Sequence, residues 1–364
     1  MPTRVLSQGH TLLVEGPCNL KVIGGNVECL GGKIQLGKQI TISSPRQAPF
    51  LAVETALIDV EPKAGGAFRE IEGSTIPTSW IEASQIAQQS STLTVIVGNV
   101  DSGKSTLSTF LANQLSKQDL TVTVVDADIG QADIGPPATV SSARVQAPIL
   151  GLHDLEPERS YFIGDTSPSI VQAKLIKNVV RLRDRTLGYT DKILINTDGW
   201  VADELAVHYK LDLLGQIRPD LVLGLSDSNE LDPLLERAKV TSLRIDRSRY
   251  AKARTKGDRK KAREEGYKRF MSDSKILKVE MDRVKVRTFE NPLQTVFVNT
   301  GGFGGFLTGL LHENDELIAI GRLREVRKRQ VSVETRIRVP PAILEVGGVQ
   351  LSAAYEEVGY GLLH

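Results

Sequence analysis

The sequence predicts an α/β protein, in which a central doubly wound parallel sheet built around a phosphate-binding loop (a P-loop) is flanked by N-terminal and C-terminal β-rich domains. Three observations predict it. Residues 1–85 offer short apolar runs broken by glycine, the mark of strands joined by tight turns. From Leu93 onward the runs are short, continuous and separated by helical stretches, which is how parallel strands buried on both faces read. From about Lys275 strand-like runs return without helices between them. The expected domains are therefore 1–85, 86–274 with an arginine-rich lid, and 275–364.

In the first region the expected strands are 11–14, 20–23, 27–30, 33–36 and 41–43, with Gly24-Gly25 and Gly31-Gly32 at the turns and one more apolar run at 52–60. They fit a small β-sandwich or β-roll, and nothing there points to chemistry. Residues 77–89 read as a linker and a short helix. In the centre the expected strands are 94–97, 122–126, 161–163, 193–196, 221–225 and 242–245. A helix is expected at 169–185, where Val171, Leu175, Ile176 and Val179 share a face. Such sheets bind ligands at the carboxyl ends of their strands. The last region offers strands at 275–279, 284–289, 296–299, 317–320, 331–339 and 343–346. Its glycine run at 301–305 lacks a following Lys-Ser and reads as a structural loop.

Composition narrows the function. The chain has 364 residues, 40% hydrophobic and 24% charged, proportions usual for a soluble globular protein. No apolar run approaches the roughly 18 residues of a membrane helix, and Met1-Pro2-Thr3-Arg4 does not open a signal peptide. Cys18 and Cys29 are the only cysteines. Their spacing matches no metal pair, so a reducing, cytoplasmic setting is expected. Five scattered histidines argue against zinc. The net charge of +1 hides an asymmetry: residues 244–269 hold twelve basic and four acidic residues. A segment of that kind favours a polyanion.

The chemistry-bearing stretch is Gly98-Asn99-Val100-Asp101-Ser102-Gly103-Lys104-Ser105-Thr106, between an apolar strand and a helical pattern. Strand, glycine loop and helix form the context in which GxxxxGK[ST] cradles phosphates. Lys104 then reaches the β- and γ-phosphates and Ser105 holds Mg²⁺. A second strand ends in Asp126-Ala127-Asp128, carboxylates suited to hydrated Mg²⁺ and to accepting a proton from a hydroxyl. A third offers Gly164-Asp165-Thr166-Ser167-Pro168-Ser169, hydroxyls at a helix start that suit an anion. A fourth ends in Asn196-Thr197-Asp198-Gly199-Trp200, where the tryptophan is either a base-stacking platform or core. Finally, Arg247, Arg249, Arg254, Arg259, Arg263 and Tyr267 mark a basic, helix-prone run that suits a lid over phosphates.

Together these motifs resemble the polynucleotide 5′-hydroxyl kinase family, which includes the RNA kinase subunit of pre-mRNA cleavage factor II and the kinase of ribosomal-RNA spacer processing. The resemblance rests on GxxDxGKST at 98–106, DxDxGQ at 126–131, the clasp at 164–168, NTxGW at 196–200 and the arginine lid after Arg247. It implies ATP and Mg²⁺ as cofactors and a 5′-hydroxyl RNA end, or DNA, as partner, with no membrane involved. It further implies that Gly98, Asp101, Ser102, Gly103, Lys104, Ser105 and Thr106 bind the nucleotide. Asp128 falls on the general base, Asp126 on a supporting metal position, and Arg247 on the first lid arginine. Gln131, Thr166, Ser167, Pro168 and Trp200 fall on substrate contacts, and the second lid arginine is Arg254 or Arg259. Two other classes compete: a P-loop nucleotide hydrolase acting as a switch, and a non-catalytic ATP-binding scaffold in RNA processing. Against the switch, Leu225-Ser226-Asp227 offers no guanine-reading Asn-Lys-x-Asp. Against the scaffold, Lys104, Ser105 and Asp128 are all present.

Overall fold

The computed structural model describes residues 3–288, 291–292, 304–327 and 329–360. Its central region runs β1 (Leu93–Gly98), α1 (Lys104–Ser116), β2 (Val122–Ala127), β3 (Thr139–Arg144), β4 (Arg159–Phe162), α2 (Pro168–Thr186), β5 (Lys192–Thr197), α3 (Glu204–Ile217), β6 (Leu221–Leu225), β7 (Thr241–Ile245) and α4 (Lys256–Met271). Every residue of β1, β2 and β5 is buried, because alternate side chains feed two different cores. Ile96, Val124 and Leu194 pack with Leu107, Phe110 and Leu111 of α1. Val95, Val97, Val125 and Ile195 pack with Val171 and Leu175 of α2 and Val207 and Leu213 of α3. Helices thus cover both faces.

The strand order is β4-β3-β2-β5-β1-β6-β7. Strands β2, β5, β1, β6 and β7 are parallel, whereas β3 is antiparallel to both β2 and β4. The expected all-parallel sheet is therefore corrected to a mixed one. β3 went unpredicted because its buried positions are largely hydroxyls. Ser141 bonds Ser160 at 2.7 Å and Thr139 donates to Pro136 O at 2.6 Å, so these polar groups are satisfied inside without forming an apolar run.

The N-terminal region is a sandwich of a four-stranded sheet and a five-stranded sheet. The apolar run at 52–60 is divided between two of its strands, Gln47–Ala52 and Ala56–Pro62, and 33–36 supplies only the end of Gly32–Lys33. The sandwich shares one core with α1, so no packing boundary falls near residue 85. Helix Thr78–Ser90 adds Trp80, whose ring lies 6.0 Å from that of Phe110. Among the described residues, the C-terminal region forms an eight-stranded sheet. Of its expected strands, 296–299 lies outside the described residues, as do Phe289 and residues 301–303 of the glycine run. The sheet crosses β4 where Gly348 N donates to Gly164 O at 2.8 Å. A Cβ on Gly347 would lie 2.4 Å from that oxygen, so only glycine permits the approach.

Candidate active site

β1 ends at Gly98, and the chain turns through the loop into α1. Gly103, just before the helix, has φ of +104°, a conformation natural to glycine alone. Gly98 is needed for space, since a Cβ there would lie 2.8 Å from both Leu225 O and Ser102 Oγ. The free N–H groups at the start of α1 and its positive dipole end make this an anion site. Lys104 opens α1 in a buried position, and its Nζ donates to Gly98 O at 3.0 Å and Asn99 O at 2.9 Å. Burial lowers its pKa to about 8, against the opposing pull of Asp128.

The two carboxylates at the end of β2 do different work. Asp126 is buried, and its Oδ2 accepts from Asp133 N at 2.7 Å and Ile134 N at 3.2 Å. Its Oδ1 accepts from Asp128 N at 3.3 Å and Asn196 Nδ2 at 3.1 Å. With four donors on two oxygens, Asp126 shapes the 128–134 loop. The same Asn196 amide donates to Ser105 Oγ at 3.4 Å, so Asp126 acts on the P-loop hydroxyl only through Asn196. Asp128 instead lines the cleft with Lys104 and Ser105. Gln131 N donates to its Oδ1 at 3.1 Å. Burial raises its pKa to about 6, Lys104 opposing and Asp198 adding to the shift.

The cleft encloses about 1010 Å³. Of the expected site residues, Asp101, Gly103, Lys104, Ser105, Thr106, Asp128, Gln131, Thr166, Pro168, Trp200, Arg254 and Arg259 line it. Gly98, Ser102, Asp126, Ser167 and Arg247 do not. Arg247 lies behind the loop, with Nη2 on Asp101 O at 3.1 Å and its backbone N on Asp227 Oδ1 at 2.9 Å. Trp200 is half-buried and stacked on Tyr209, ring centroids 5.6 Å apart. Its Nε1 donates to Asp203 Oδ2 at 2.7 Å, so this one ring is both packed in the fold and open to the cleft.

Three groups that hold the site were not expected from sequence. Beneath Trp200, Asp198 Oδ2 accepts from Tyr209 OH and Lys210 Nζ, both at 2.8 Å, with Lys210 wholly buried. Lys210 lies three residues after Val207 and four before Leu214, on the apolar stripe of α3, and that placement was the available signal. Beside the clasp, Glu357 of the final strand takes Arg263 Nε at 2.7 Å and Nη2 at 2.6 Å. Tyr360 OH donates to Glu357 Oε2 at 3.0 Å and lies 3.4 Å from Thr166 Oγ1. The N-terminal sandwich, expected to carry no chemistry, walls the cleft with Leu13, Arg46, Gln47 and Pro49. No motif marks those positions.

Ser105 suits Mg²⁺, which keeps several waters and takes few protein ligands beside phosphate oxygens. Its hydroxyl opens on the cleft and is steadied by Asn196.

Residues 98–273 match the family model described as the P-loop of mRNA cleavage and polyadenylation factor CLP1. The chain is 34% identical over 192 residues to a polyribonucleotide 5′-hydroxyl-kinase of Pyrococcus abyssi, covering 53% of this chain and 54% of that one. It is also 34% identical over 196 residues to one of Methanocaldococcus jannaschii, again covering 53% and 54%. The chain thus spans about half the length of these curated relatives. Among solved structures, wild-type Clp1p in complex with Pcf11p superposes with a TM-score of 0.72 at 14% identity, over 96% of this chain and 97% of that one. Through residues 98–273, this chain is similar to the CLP1 P-loop family.

Proposed function

We propose that the protein transfers the γ-phosphoryl group of ATP to the 5′-hydroxyl end of a polynucleotide, RNA first among them. One observation carries the reading: a P-loop lysine and a carboxylate with a near-neutral pKa face the same cleft. In the reaction the hydroxyl oxygen bonds to the γ-phosphorus, the bond to the β–γ bridging oxygen breaks, and ADP leaves. Asp128, ionised above about pH 6, takes the hydroxyl proton. Lys104 places positive charge against the β- and γ-phosphates. Arg254 and Arg259 line the same cleft and offset the charge of the transferring group. Thr166 and Pro168 flank the acceptor, and the open face of Trp200 takes its terminal base. Ser105 would hold Mg²⁺, which would supply charge neutralisation to the phosphates. The relatives named as polyribonucleotide 5′-hydroxyl-kinases support RNA as the acceptor. The cytoplasmic setting is part of the same proposal.

The test is incubation with γ-labelled ATP and RNA bearing either a 5′-hydroxyl or a 5′-phosphate. Label on the 5′-hydroxyl RNA alone, lost in Asp128→Ala while ATP still binds, is the expected result. Phosphate release without RNA would make the protein a hydrolase, and neither outcome would leave a scaffold.

A further inference from the structure

Asp101 sets up a conflict in a loop that gathers phosphate, because its carboxylate repels the triphosphate. What surrounds it resolves the conflict. Its side chain is only 8% exposed, and two lid arginines close on it. Arg254 donates its backbone N to Oδ2 at 3.0 Å and its Nε to Oδ1 at 2.9 Å. Arg259 Nη1 donates to Oδ2 at 2.9 Å and to Arg254 O at 2.6 Å. Arg247 Nη2 reaches the backbone oxygen of the same residue at 3.1 Å. One P-loop residue therefore gathers three arginines of the segment that precedes and opens α4.

We infer that Asp101 is a positioning residue that latches the arginine lid to the phosphate loop, and that it is not itself a ligand of nucleotide or metal. The inference rests on the proposed phosphoryl transfer and adds to it the means by which the lid is held. One carboxylate against two guanidinium groups leaves a net positive charge, so the latched assembly still favours phosphate. Paired in this way, the guanidinium planes are fixed before substrate arrives, and the ordering of two long side chains is not left to the reaction step. The latch also reaches the proposed base. Gln131 Nε2 donates to Arg259 O at 3.2 Å, while Gln131 N donates to Asp128 Oδ1 at 3.1 Å. Lid, P-loop and base are thereby joined through Asp101 and Gln131. Backbone geometry adds a reason for aspartate: φ is +57°, in the left-handed region that Asp tolerates better than most residues.

The experiment compares the full-length wild type with Asp101→Asn, which keeps the shape and removes the charge. Three quantities are read: kcat on 5′-hydroxyl RNA, the Kd of ATP by calorimetry, and the rate of trypsin cleavage after Arg254 and Arg259. The expected result is a fall in kcat of about 10- to 100-fold, with ATP affinity retained and lid cleavage accelerated. Lost ATP affinity with an unchanged lid would make Asp101 a direct ligand and overturn the inference. Unchanged turnover and unchanged cleavage would overturn it as well. Should Asp101→Asn not fold, the double variant Arg254→Gln/Arg259→Gln releases the same lid from its other side and must show accelerated trypsin cleavage at the lid sites it keeps, after Lys256 and Lys260. Added to that double variant, Asp101→Asn must leave kcat within about twofold, because the partners of the latch are already gone. The trypsin readout needs no turnover. A wild type inactive on RNA whose lid is nonetheless freed by Asp101→Asn would sink the kinase reading and leave the latch standing.

Discussion

Asp126 and Asp128 leave the same strand two residues apart, yet only one is available to a substrate. The difference lies in what surrounds them: four N–H donors enclose the first, while the second lines the cleft. That placement gives a pH dependence with a definite sign. Below about pH 6 Asp128 keeps its proton and cannot take another from the hydroxyl. Above about pH 8 Lys104 loses the charge that phosphates need. We predict that kcat/KM is bell-shaped, with limbs near these two values, since it reports groups of the free enzyme. A rate flat from pH 5 to 7 would remove Asp128 as the base. A second residue-scale prediction concerns stability. Lys210→Met leaves the buried Asp198 carboxylate without its cationic partner at 2.8 Å, and breaking such a pair costs about 3–5 kcal/mol. A denaturant midpoint equal to that of wild type would contradict it.

At the scale of elements, α4 is fixed at both ends by different means. Thr255 and Asp258 form a capping box at its start, worth about 1 kcal/mol. Further along, Arg263 and Tyr267 are tied to Glu357, so the C-terminal sheet anchors the lid helix beside the clasp. We predict that Glu357→Ala, which strands Arg263, costs about 3 kcal/mol or more and speeds trypsin cleavage after Arg263. An unchanged melting temperature would show that the anchor carries no load. Elements also mark where the sequence could be read. β1, the P-loop and α1 were legible because a local motif and a covered apolar run agree there. β6 was expected at 221–225 and is Leu221–Leu225. β3 was hidden because serine and threonine fill its buried positions. Lys210 and Glu357 were illegible for another reason. A charged residue reads as exposed until its partner is known, and Glu357 meets Arg263 from 94 residues away.

At the scale of the whole molecule, the basic segment changes meaning. Read alone, residues 244–269 carry a large positive excess on a chain of net charge +1, and the acids of the remaining chain seem unrelated to it. Folding brings the two together. Arg244 pairs with Asp232, Arg247 with Asp227, Lys252 with Glu15, Arg254 and Arg259 with Asp101, Arg263 with Glu357, and Arg269 with Glu156. Much of the excess is therefore spent on holding the lid and its surroundings in place. The remainder is a small set of cations around a cleft, a pattern that suits gripping a polynucleotide at its end better than coating its length. The salt dependence of RNA binding separates these two pictures. About three phosphates neutralised on a single strand give a log–log slope of about −2, whereas engagement of the full excess gives a slope of about −6. We predict the shallow slope for a single-stranded 5′-hydroxyl RNA titrated at several salt concentrations. The steep slope would mean that the intramolecular pairs open to receive the polymer, and that the lid binds RNA along its length rather than closing over its terminal nucleotide.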